Sequence, residues 1–150
     1  MSGELPTRIQ LELVTPERLV ARESVEALSI PGKSGYLGVL PGHAPLLSEL
    51  KPGELTYTGT GVTRHAAVSG GFVEVLGDRV TVLADACERA EEIDVARAER
   101  ARQSAEEQVK AANAGAASGA GGADAALAQA ALDRAQNRLA VASRVESLAK

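Results

Sequence analysis

Glycine and proline divide the chain into two regions of different character. All six prolines lie at or before Pro52, and eleven of the fifteen glycines lie at or before Gly77. Neither residue type occurs from Asp78 to Ala114. Because glycine and proline form turns between strands and interrupt helices, this distribution predicts a turn-rich β region followed by a helical region. The other four glycines lie in Asn113–Ala123, whose Gly/Ala composition predicts a flexible linker.

Alternating apolar residues predict half-buried strands in the first region. Ile9, Leu11 and Leu13 alternate with polar residues, and Val73 and Val75 do the same. Further short apolar runs are separated by Pro-Gly, Gly-Gly and Gly-Asp pairs, which are typical of tight turns. Many short strands joined by frequent turns favour a β-sandwich or a β-barrel.

The second region has the apolar spacing of helices. Asp94 is a suitable N-cap for a first helix, and a second helix is predicted from Asp124 to about Leu148. The linker between them allows an antiparallel hairpin. The positions that share the two apolar stripes are Val95, Ala98, Ala101, Ala105, Val109 and Ala112 in the first helix and Leu132, Ala135, Leu139 and Ala142 in the second.

Alanine dominates these two stripes. At about 0.8 kcal/mol per buried methylene group, contacts between alanines stabilise a seam far less than contacts between leucines. Alanine is also the strongest helix former. The sequence therefore predicts two good helices with a weak seam. A movable element and an ordinary alanine-rich structural hairpin both fit this pattern.

The overall composition excludes several classes of protein. A formal net charge of −4 lacks the basic excess that binding to a nucleic-acid backbone requires. No apolar run approaches the ~20 residues of a membrane span, and the first residues lack the features of a signal peptide, so we expect a soluble, unexported chain. The single cysteine, Cys87, has no partner for an internal disulfide. With 2% aromatic residues, the core must be aliphatic.

Two patterns that suggest catalysis or phosphate binding are incomplete. Gly32-Lys33-Ser34 lacks the glycine five positions earlier that a P-loop requires, because Ala27 stands there. Ser69-Gly70-Gly71 lacks the preceding glycine of a nucleophile elbow, because Ala67 stands there. The two histidines and the cysteine have no recognisable metal-ligand spacing. We therefore predict neither catalytic residues nor a metal site.

Arginines on the predicted helices are candidates for anion binding. Arg134 and Arg138 lie four residues apart on one helix face, where two guanidinium groups repel unless an anion lies between them. If the hairpin folds, Arg97 could join them on a phosphate, since guanidinium offers a planar fork of donors. The alternative is a solvated face on which these arginines pair with acidic residues of their own helices.

An apolar loop with two prolines and one histidine, His43, occupies Gly38–Leu47. Proline and glycine stiffen such a loop and give it a fixed shape. An exposed, rigid, apolar loop indicates a docking surface. A buried corner of the sandwich is the alternative interpretation.

Four stretches together resemble the epsilon subunit of F-type ATP synthases. They are Gly35–Leu47, Leu50–Gly53, Ser69–Val75 and Val80–Asp85. The resemblance covers nearly the whole chain and is broken mainly by the Gly/Ala linker. It implies a flattened, ten-stranded β-sandwich over residues 1–88 and a regulatory antiparallel two-helix hairpin over residues 89–150.

The same resemblance implies a non-catalytic rotor subunit. In this family the sandwich binds the gamma subunit and sits on the ring of c subunits, which couples proton transport to ATP synthesis by the alpha and beta subunits. Tyr36, Pro41, Gly42 and His43 match the part that faces the ring. The implied location is peripheral, at the cytoplasmic face of the bacterial cell membrane. A free-standing ATP-binding sensor, with the sandwich as a mere base, is the competing hypothesis.

In this family the hairpin either packs on the sandwich or extends along gamma toward the alpha/beta hexamer, where it hinders ATP hydrolysis. No cofactor is required, but some bacterial members bind ATP as a regulatory ligand through a motif that Ile93–Ala98 matches in full. A further arginine of that site falls at Ser104, with Arg102 as a differently directed substitute. The positions that match ATP-contacting residues are Glu88, Asp94, Arg97, Arg134 and Arg138.

Overall fold

The computed structural model describes the backbone of residues 4–116 and 122–148 and the side chains of residues 4–115 and 122–145. Contacts between residues divide the chain into two compact units, Met1–Ala90 and Glu91–Lys150. Strands make up the first unit, and two α-helices make up the second. No helix within the described ranges is long and apolar enough to cross a membrane.

Eight β-strands form the first unit. Their bounds are β1 Ile9–Val14, β2 Leu19–Val25, β3 Ala27–Gly32, β4 Gly35–Val39, β5 Leu46–Glu49, β6 Gly53–Gly59, β7 Val62–Leu76 and β8 Arg79–Arg89. They form one sheet in the order β2-β1-β8-β7-β6-β3-β4, and β5 pairs with β7 beside this path. Strands β1 and β8 run parallel, and the other pairs run antiparallel.

The sheet curls back on itself. The Nε atom of Arg64 on β7 lies 3.8 Å from Oε2 of Glu23 on β2, although β1 and β8 separate these strands in the sheet. In a flat sheet, three strand spacings would hold β2 and β7 about 14 Å apart. The β2 edge of the sheet therefore folds back toward β6 and β7, where the N–H of Glu26 also donates to the carbonyl oxygen of Thr58 at 2.7 Å, and the predicted β-sandwich is confirmed.

A bend divides β7, the longest strand, into two halves. Gly70 and Gly71 have φ angles of +64° and +104°, and β6 pairs with the half before them while β5 pairs with the half after them. A Cβ atom at Gly71 would lie 2.0 Å from the carbonyl oxygen of Leu83, so only glycine fits there. The structure describes eight strands rather than the ten that the resemblance implied, because β7 and β8 each run through the bend unbroken.

Aliphatic side chains fill the core of the sandwich, as the shortage of aromatic residues predicted. The predicted alternation is confirmed in β1 and in the second half of β7, where every second residue is buried. Each fully buried side chain of this size contributes roughly 1.5–3 kcal/mol. The largest fully buried side chains are Tyr57, Ile9, Leu11, Leu13, Ile30, Leu55, Val25, Val39, Val68, Val73, Val75 and Val80.

The second unit is an antiparallel pair of helices, α1 Val95–Ala116 and α2 Gly122–Leu148, which follow a short 3-10 turn at Ala90–Glu92. Asp94 caps α1, as predicted. Its Oδ1 atom accepts a hydrogen bond from the backbone N–H of Arg97 at 3.0 Å. The two antiparallel helices confirm the predicted hairpin.

The predicted linker Asn113–Ala123 is wrong at both of its described ends. Helix α1 continues to Ala116, and α2 begins at Gly122, two residues before the predicted start at Asp124. Residues 117–121 of the linker lie outside the described part of the chain. Alanine-rich sequence extends α1 through Gly115 because a single glycine costs a helix only about 1 kcal/mol.

The seam between the helices is narrower than the predicted stripes. Val95 and Ala101 are exposed, since each lies about 60° around the helix from Ala98 at 3.6 residues per turn. The buried alanines instead recur at intervals of seven residues, which is the spacing of a helix pair packed along one line. These alanines are Ala98, Ala105, Ala128, Ala135 and Ala142.

Candidate functional site

A Pro-Gly turn fixes the shape of the predicted docking loop. The N–H of His43 donates to the carbonyl oxygen of Leu40 at 3.1 Å, which closes a four-residue turn. Pro41 takes the second position, and Gly42 takes the third with a φ angle of +85°. This is the type II turn, which needs a positive φ at its third residue and therefore favours glycine there.

The loop lies at the surface of the first unit and not in a buried corner. Leu40 is 63% exposed, and Pro41 and His43 are half-buried. The Nδ1 atom of His43 lies 2.7 Å from the carbonyl oxygen of Ala44, so the ring is held against its own loop. The loop therefore has a fixed, largely apolar outline. Its docking role stays a prediction.

Tyr36 on β4 is tied through its hydroxyl group to β6, the strand on the far side of β3. The hydroxyl oxygen accepts a hydrogen bond from the N–H of Glu54 at 3.2 Å, while 57% of the residue stays exposed. The Nζ atom of Lys51 lies 5.6 Å from the centre of the Tyr36 ring, which is a cation–π distance. Tyr36 therefore presents a ring with a neighbouring positive charge rather than a free hydroxyl group.

An exposed apolar row crosses the outer face of the sandwich. By the ladder registers, Val14 on β1, Leu83 on β8 and Phe72 on β7 lie side by side. Leu83 and Phe72 are 53% and 52% exposed. A groove of about 390 Å³ runs beside them and is also lined by Gly71 and Asp85. Exposed apolar side chains that lie side by side make this row a candidate interaction site.

Sequence reasoning missed this apolar row. The alternation that places Val73 and Val75 in the core also places Phe72 and Leu76 on the opposite face. Large apolar residues on both faces of one strand are the signal that could have found it.

The candidate nucleotide-binding residues lie in both units. Glu88 belongs to β8 in the first unit, whereas Asp94, Arg97, Arg134 and Arg138 belong to the second. The Asp94 carboxylate already binds the start of α1. Within the ranges whose side chains are described, neither Arg97 nor Arg134 forms an ion pair through its guanidinium group.

The register of the helices separates the three arginines along the hairpin. One groove is lined by both helices, with Ala112 of α1 and Ala128 of α2 among its residues, so we take these two alanines as lying at about the same level. Each residue adds a rise of about 1.5 Å along the helix axis, counted from that level away from the turn between the helices. Along this axis Arg97 lies about 8 Å farther from the turn than Arg138 and about 13 Å farther than Arg134. The structure therefore does not bring the three to one point. A ligand that contacts all of them needs several anionic groups.

Arg102, the differently directed substitute for the missing arginine, is engaged within its own helix. Its Nε lies 3.1 Å from Oε1 of Glu99, and its Nη1 lies 2.5 Å from Oε1 of Glu106. The hydrogen bonds that Arg102 donates to Glu99 and then to Glu106 raise the pKa of Arg102, and the bond to Glu99 lowers the pKa of that carboxyl group. Two carboxylates thus neutralise this guanidinium, which makes it a poor phosphate ligand. Ser104 contributes only a hydroxyl group, 3.4 Å from Nε2 of Gln108.

Two protein-family models together match nearly the whole chain. The β-sandwich domain of the ATP synthase delta/epsilon chain matches residues 8–90, and its long α-helix domain matches residues 91–143. The chain belongs to the ATP synthase delta/epsilon family. The resemblance drawn from the loop and strand motifs is thereby confirmed.

Relatives within this family match over most of their length. The ATP synthase epsilon chain of Herpetosiphon aurantiacus is 50% identical over 134 residues, which cover 89% of this chain and 93% of the relative. The epsilon chain of Solibacter usitatus is 49% identical over 140 residues, which cover 93% and 99%.

A solved structure shares the fold. The cryo-EM structure of Euglena gracilis mitochondrial ATP synthase, OSCP/F1/c-ring in rotational state 1, contains a chain that matches with a TM-score of 0.73 at 24% identity. The match covers 100% of this chain and 86% of that chain. At this identity the match shows that the two chains share a fold.

Proposed function

We propose that the chain is a non-catalytic rotor subunit in the central stalk of an F-type ATP synthase. It couples proton translocation through the c-ring to ATP synthesis by way of the gamma subunit. The observation that carries this proposal is the match of both units, residues 8–90 and 91–143, to the two domains of one ATP synthase subunit. Such a subunit is peripheral at the cytoplasmic face of a bacterial membrane and is held there by the complex.

The exposed apolar row of Val14, Leu83 and Phe72 is the proposed gamma-binding face. Phe72 and Leu83 have about half of their surface available, and covering it stabilises a complex by about 1 kcal/mol for each side chain. The Gly70-Gly71 bend holds both residues on a rigid sheet, so little conformational entropy is lost on docking.

The Pro-Gly turn is the proposed ring contact. Its shape is fixed by the hydrogen bond from His43 to Leu40, and Leu40 projects into solvent. A turn of fixed shape transmits torque better than a flexible loop, because rotation of the ring is not absorbed by loop deformation. Tyr36, tied to β6, lies on the strand that leads into this turn.

The hairpin is the proposed restraint on ATP hydrolysis. Alanines hold most of the buried positions of the hairpin, so separating the helices exposes less apolar surface than separating a leucine seam would. Helix α1 carries its own stabilising groups, the Asp94 cap and the ion pairs of Arg102, which do not depend on α2. A helix that keeps these bonds after separation suits a switch between closed and extended states.

ATP is the proposed regulatory ligand of the hairpin. Arg97 and Arg134 form no ion pair with any described side chain, and their separation along the hairpin axis favours a ligand with several phosphates over a single anion. In a calorimetric titration of the full chain we expect ATP-selective binding that Arg138→Ala abolishes and that Arg100→Ala, an exposed position on α1, leaves intact. No heat at millimolar ATP from a folded chain would exclude ATP as the ligand and leave the rotor role standing.

Recovery of partners from the native membrane tests the rotor role. A tagged full-length chain expressed in its own host should recover gamma, alpha and beta subunits from detergent-solubilised membranes. The free-standing ATP sensor predicts ATP binding without any stable gamma complex. A tagged chain that never recovers gamma would overturn the rotor proposal.

A further inference from the structure

The chain crosses between the two layers of the sandwich at the corner between β2 and β3. One layer contains β2, β1, β5 and the second half of β7, and the other contains β4, β3, β6 and the first half of β7. Glu26 separates β2 from β3, and its N–H donates to the carbonyl oxygen of Thr58 on β6 at 2.7 Å. Among the described strands, β2 forms a ladder only with β1. The β2 side of the sandwich therefore closes without a ladder between the layers.

Arg8, directly before β1, binds the chain on both sides of this corner. Its Nε donates to Oγ of Ser24 at 2.8 Å, and its Nη2 donates to the backbone carbonyl oxygen of Ser24 at 2.9 Å. Its Nη1 lies 3.1 Å from Oε1 of Glu26. One guanidinium group thus binds the residues before and after Val25, which suits its fixed fork of donors.

Strand β6 approaches this arrangement closely at Gly59. A Cβ atom there would lie 3.0 Å from the carbonyl oxygen of Ser24 and 3.8 Å from Nη2 of Arg8. Gly59 has no positive φ angle, so the close approach of the two layers accounts for a glycine at this position. A larger side chain would push β6 away from the corner.

A second charged contact joins the two layers next to the corner. Glu23 on β2 lies opposite the buried Leu11, and Arg64 on β7 lies opposite the buried Tyr57. Ladder partners share a face, so both charged residues stand on the core faces of their strands. The Nε atom of Arg64 lies 3.8 Å from Oε2 of Glu23. The rim of the sandwich is thus closed by charges that face inward, a device that protects edge strands.

We propose that these contacts form a corner brace, a conformational device that keeps the β2 side of the sandwich closed. The brace consists of Arg8, Glu23, Ser24, Glu26 and Arg64. Its contacts are ionic and partly exposed, so salt weakens them while leaving the apolar core intact. The β2 side is therefore where the sandwich opens locally at high salt. The inference concerns the sandwich alone and stands whether or not the rotor role holds.

An ordinary surface ion pair is the alternative interpretation, because such pairs contribute little to stability. Arg8 differs from such a pair in binding a backbone carbonyl group and a hydroxyl group as well as a carboxylate. The chain offers a matched control on the same strand. Arg22 lies 3.0 Å from Glu12, but this pair joins β2 to β1 within one layer.

Amide hydrogen exchange of the full-length chain tests the brace, because it measures local opening. Arg8→Met keeps an apolar stem and removes the guanidinium group. We expect amides of residues 23–28 and 56–60 to exchange about tenfold faster in this variant, and those of residues 80–84 to keep the wild-type rate. High salt should accelerate exchange at the corner in wild type and have little further effect in Arg8→Met.

Arg22→Met should leave exchange at the corner unchanged. Corner exchange that is no faster in Arg8→Met than in Arg22→Met would overturn the inference. An acceleration spread evenly over all strands would overturn it as well, since Arg8 would then add only to global stability.

A charge swap tests the contact between the layers without altering Arg8. Glu23→Arg and Arg64→Glu should each accelerate exchange at the corner, and the double variant should restore a rate close to that of wild type. A double variant that exchanges no more slowly than its two single variants would overturn the inference that the brace joins the layers.

Discussion

Phe72 on β7 lies directly opposite Leu83 on β8, and each residue keeps about half of its surface exposed. The neighbouring residues Val73 and Val82 point to the opposite face of the two strands and are buried in the core. The pair therefore adds little to the stability of the sandwich by burial. Its apolar surface is available to a partner, and Val14 extends it by one strand.

Replacing Phe72 by serine should separate partner binding from folding. We expect the affinity for a complex of gamma, alpha and beta subunits to fall about tenfold, as for a central apolar contact. The free energy of unfolding should fall by less than about 1 kcal/mol, because the side chain is half exposed in the free protein. Binding isotherms and urea unfolding measure the two quantities.

Val62→Ser is the matched control for Phe72→Ser. Val62 is also 52% exposed and lies on the first half of β7, away from the apolar row. It should leave the affinity for gamma unchanged. An equal loss of affinity in the two variants would show that the row has no special part in docking.

Enlarging one alanine of the seam should open the hairpin. Ala105 is 3% exposed, and a leucine there overfills a close-packed seam at a cost of about 1–3 kcal/mol. We expect faster amide hydrogen exchange in α2. We also expect slower ATP hydrolysis by the assembled complex, since the extended hairpin is the proposed inhibitory state.

Ala101→Leu makes the same chemical change on an exposed face of α1. Hydrogen exchange and hydrolysis should stay at the wild-type level in this variant. If Ala105→Leu accelerates hydrolysis instead, the open hairpin is not the inhibitory state.

The turn between β6 and β7 contains a conformational strain that a substitution should relieve. Thr60 has a φ angle of +51°, and Gly61 follows with +78°. A β-branched residue at positive φ costs on the order of 1 kcal/mol, whereas asparagine tolerates this conformation in two-residue hairpin turns. Thr60→Asn should therefore raise the free energy of unfolding by about 0.5–1 kcal/mol.

Urea unfolding checks the effect of Thr60→Asn, with Thr63→Asn as the control. Thr63 lies in the regular part of β7, and its hydroxyl oxygen is 2.9 Å from that of Thr58. This second variant should not stabilise the protein. A Thr60→Asn variant no more stable than wild type would mean that the threonine fits its turn without strain.

The ion pairs of Arg102 give helix α1 a dependence on acid pH. The hydrogen bond from Arg102 lowers the pKa of Glu99 below its ordinary value of 4.5. A carboxyl group with a depressed pKa stabilises the folded state above its unfolded pKa, and this contribution is lost as the pH falls through the folded value. We therefore expect a loss of helix stability below about pH 4.5.

Glu99→Gln is the comparison for this pH effect. At neutral pH the variant should unfold at a lower temperature than wild type by far-UV circular dichroism. The difference should shrink as the pH falls from 4.5 through the lowered pKa of Glu99, because the carboxylate then becomes protonated in wild type as well. A difference that is constant from neutral pH to pH 3 would exclude the ion pair as its cause.

Local patterns predicted the elements of the fold well. The alternation around Leu11 and around Glu74 identified core positions, because side chains on a strand point to opposite faces. Asp94 was found as an N-cap because a short acidic side chain can bind the free N–H groups of a helix start. These features depend only on residues close in the sequence.

Features that depend on distant residues could not be predicted in the same way. The pattern of β7 places large apolar residues on both of its faces, but only the folded structure shows that the face with Phe72 stays uncovered. The apolar stripe predicts Val95 on the seam because a stripe covers a broad face of the helix, whereas the fully buried positions of α1 form a narrow line that includes Ala98 and Ala105. The separation of Arg97 from Arg134 likewise depends on the register of the two helices, which the loop between them does not specify.

Coupling in reconstituted membranes tests the rotor role most directly. Membranes from the same organism are stripped of F1 and rebound with F1 that lacks this chain, with or without the purified chain added back. We expect ATP-driven proton pumping only when the chain is present, both in full length and when it ends at Glu92, with faster ATP hydrolysis for the shortened form. Pumping that is equally strong without the chain would contradict the proposal that it couples the ring to gamma.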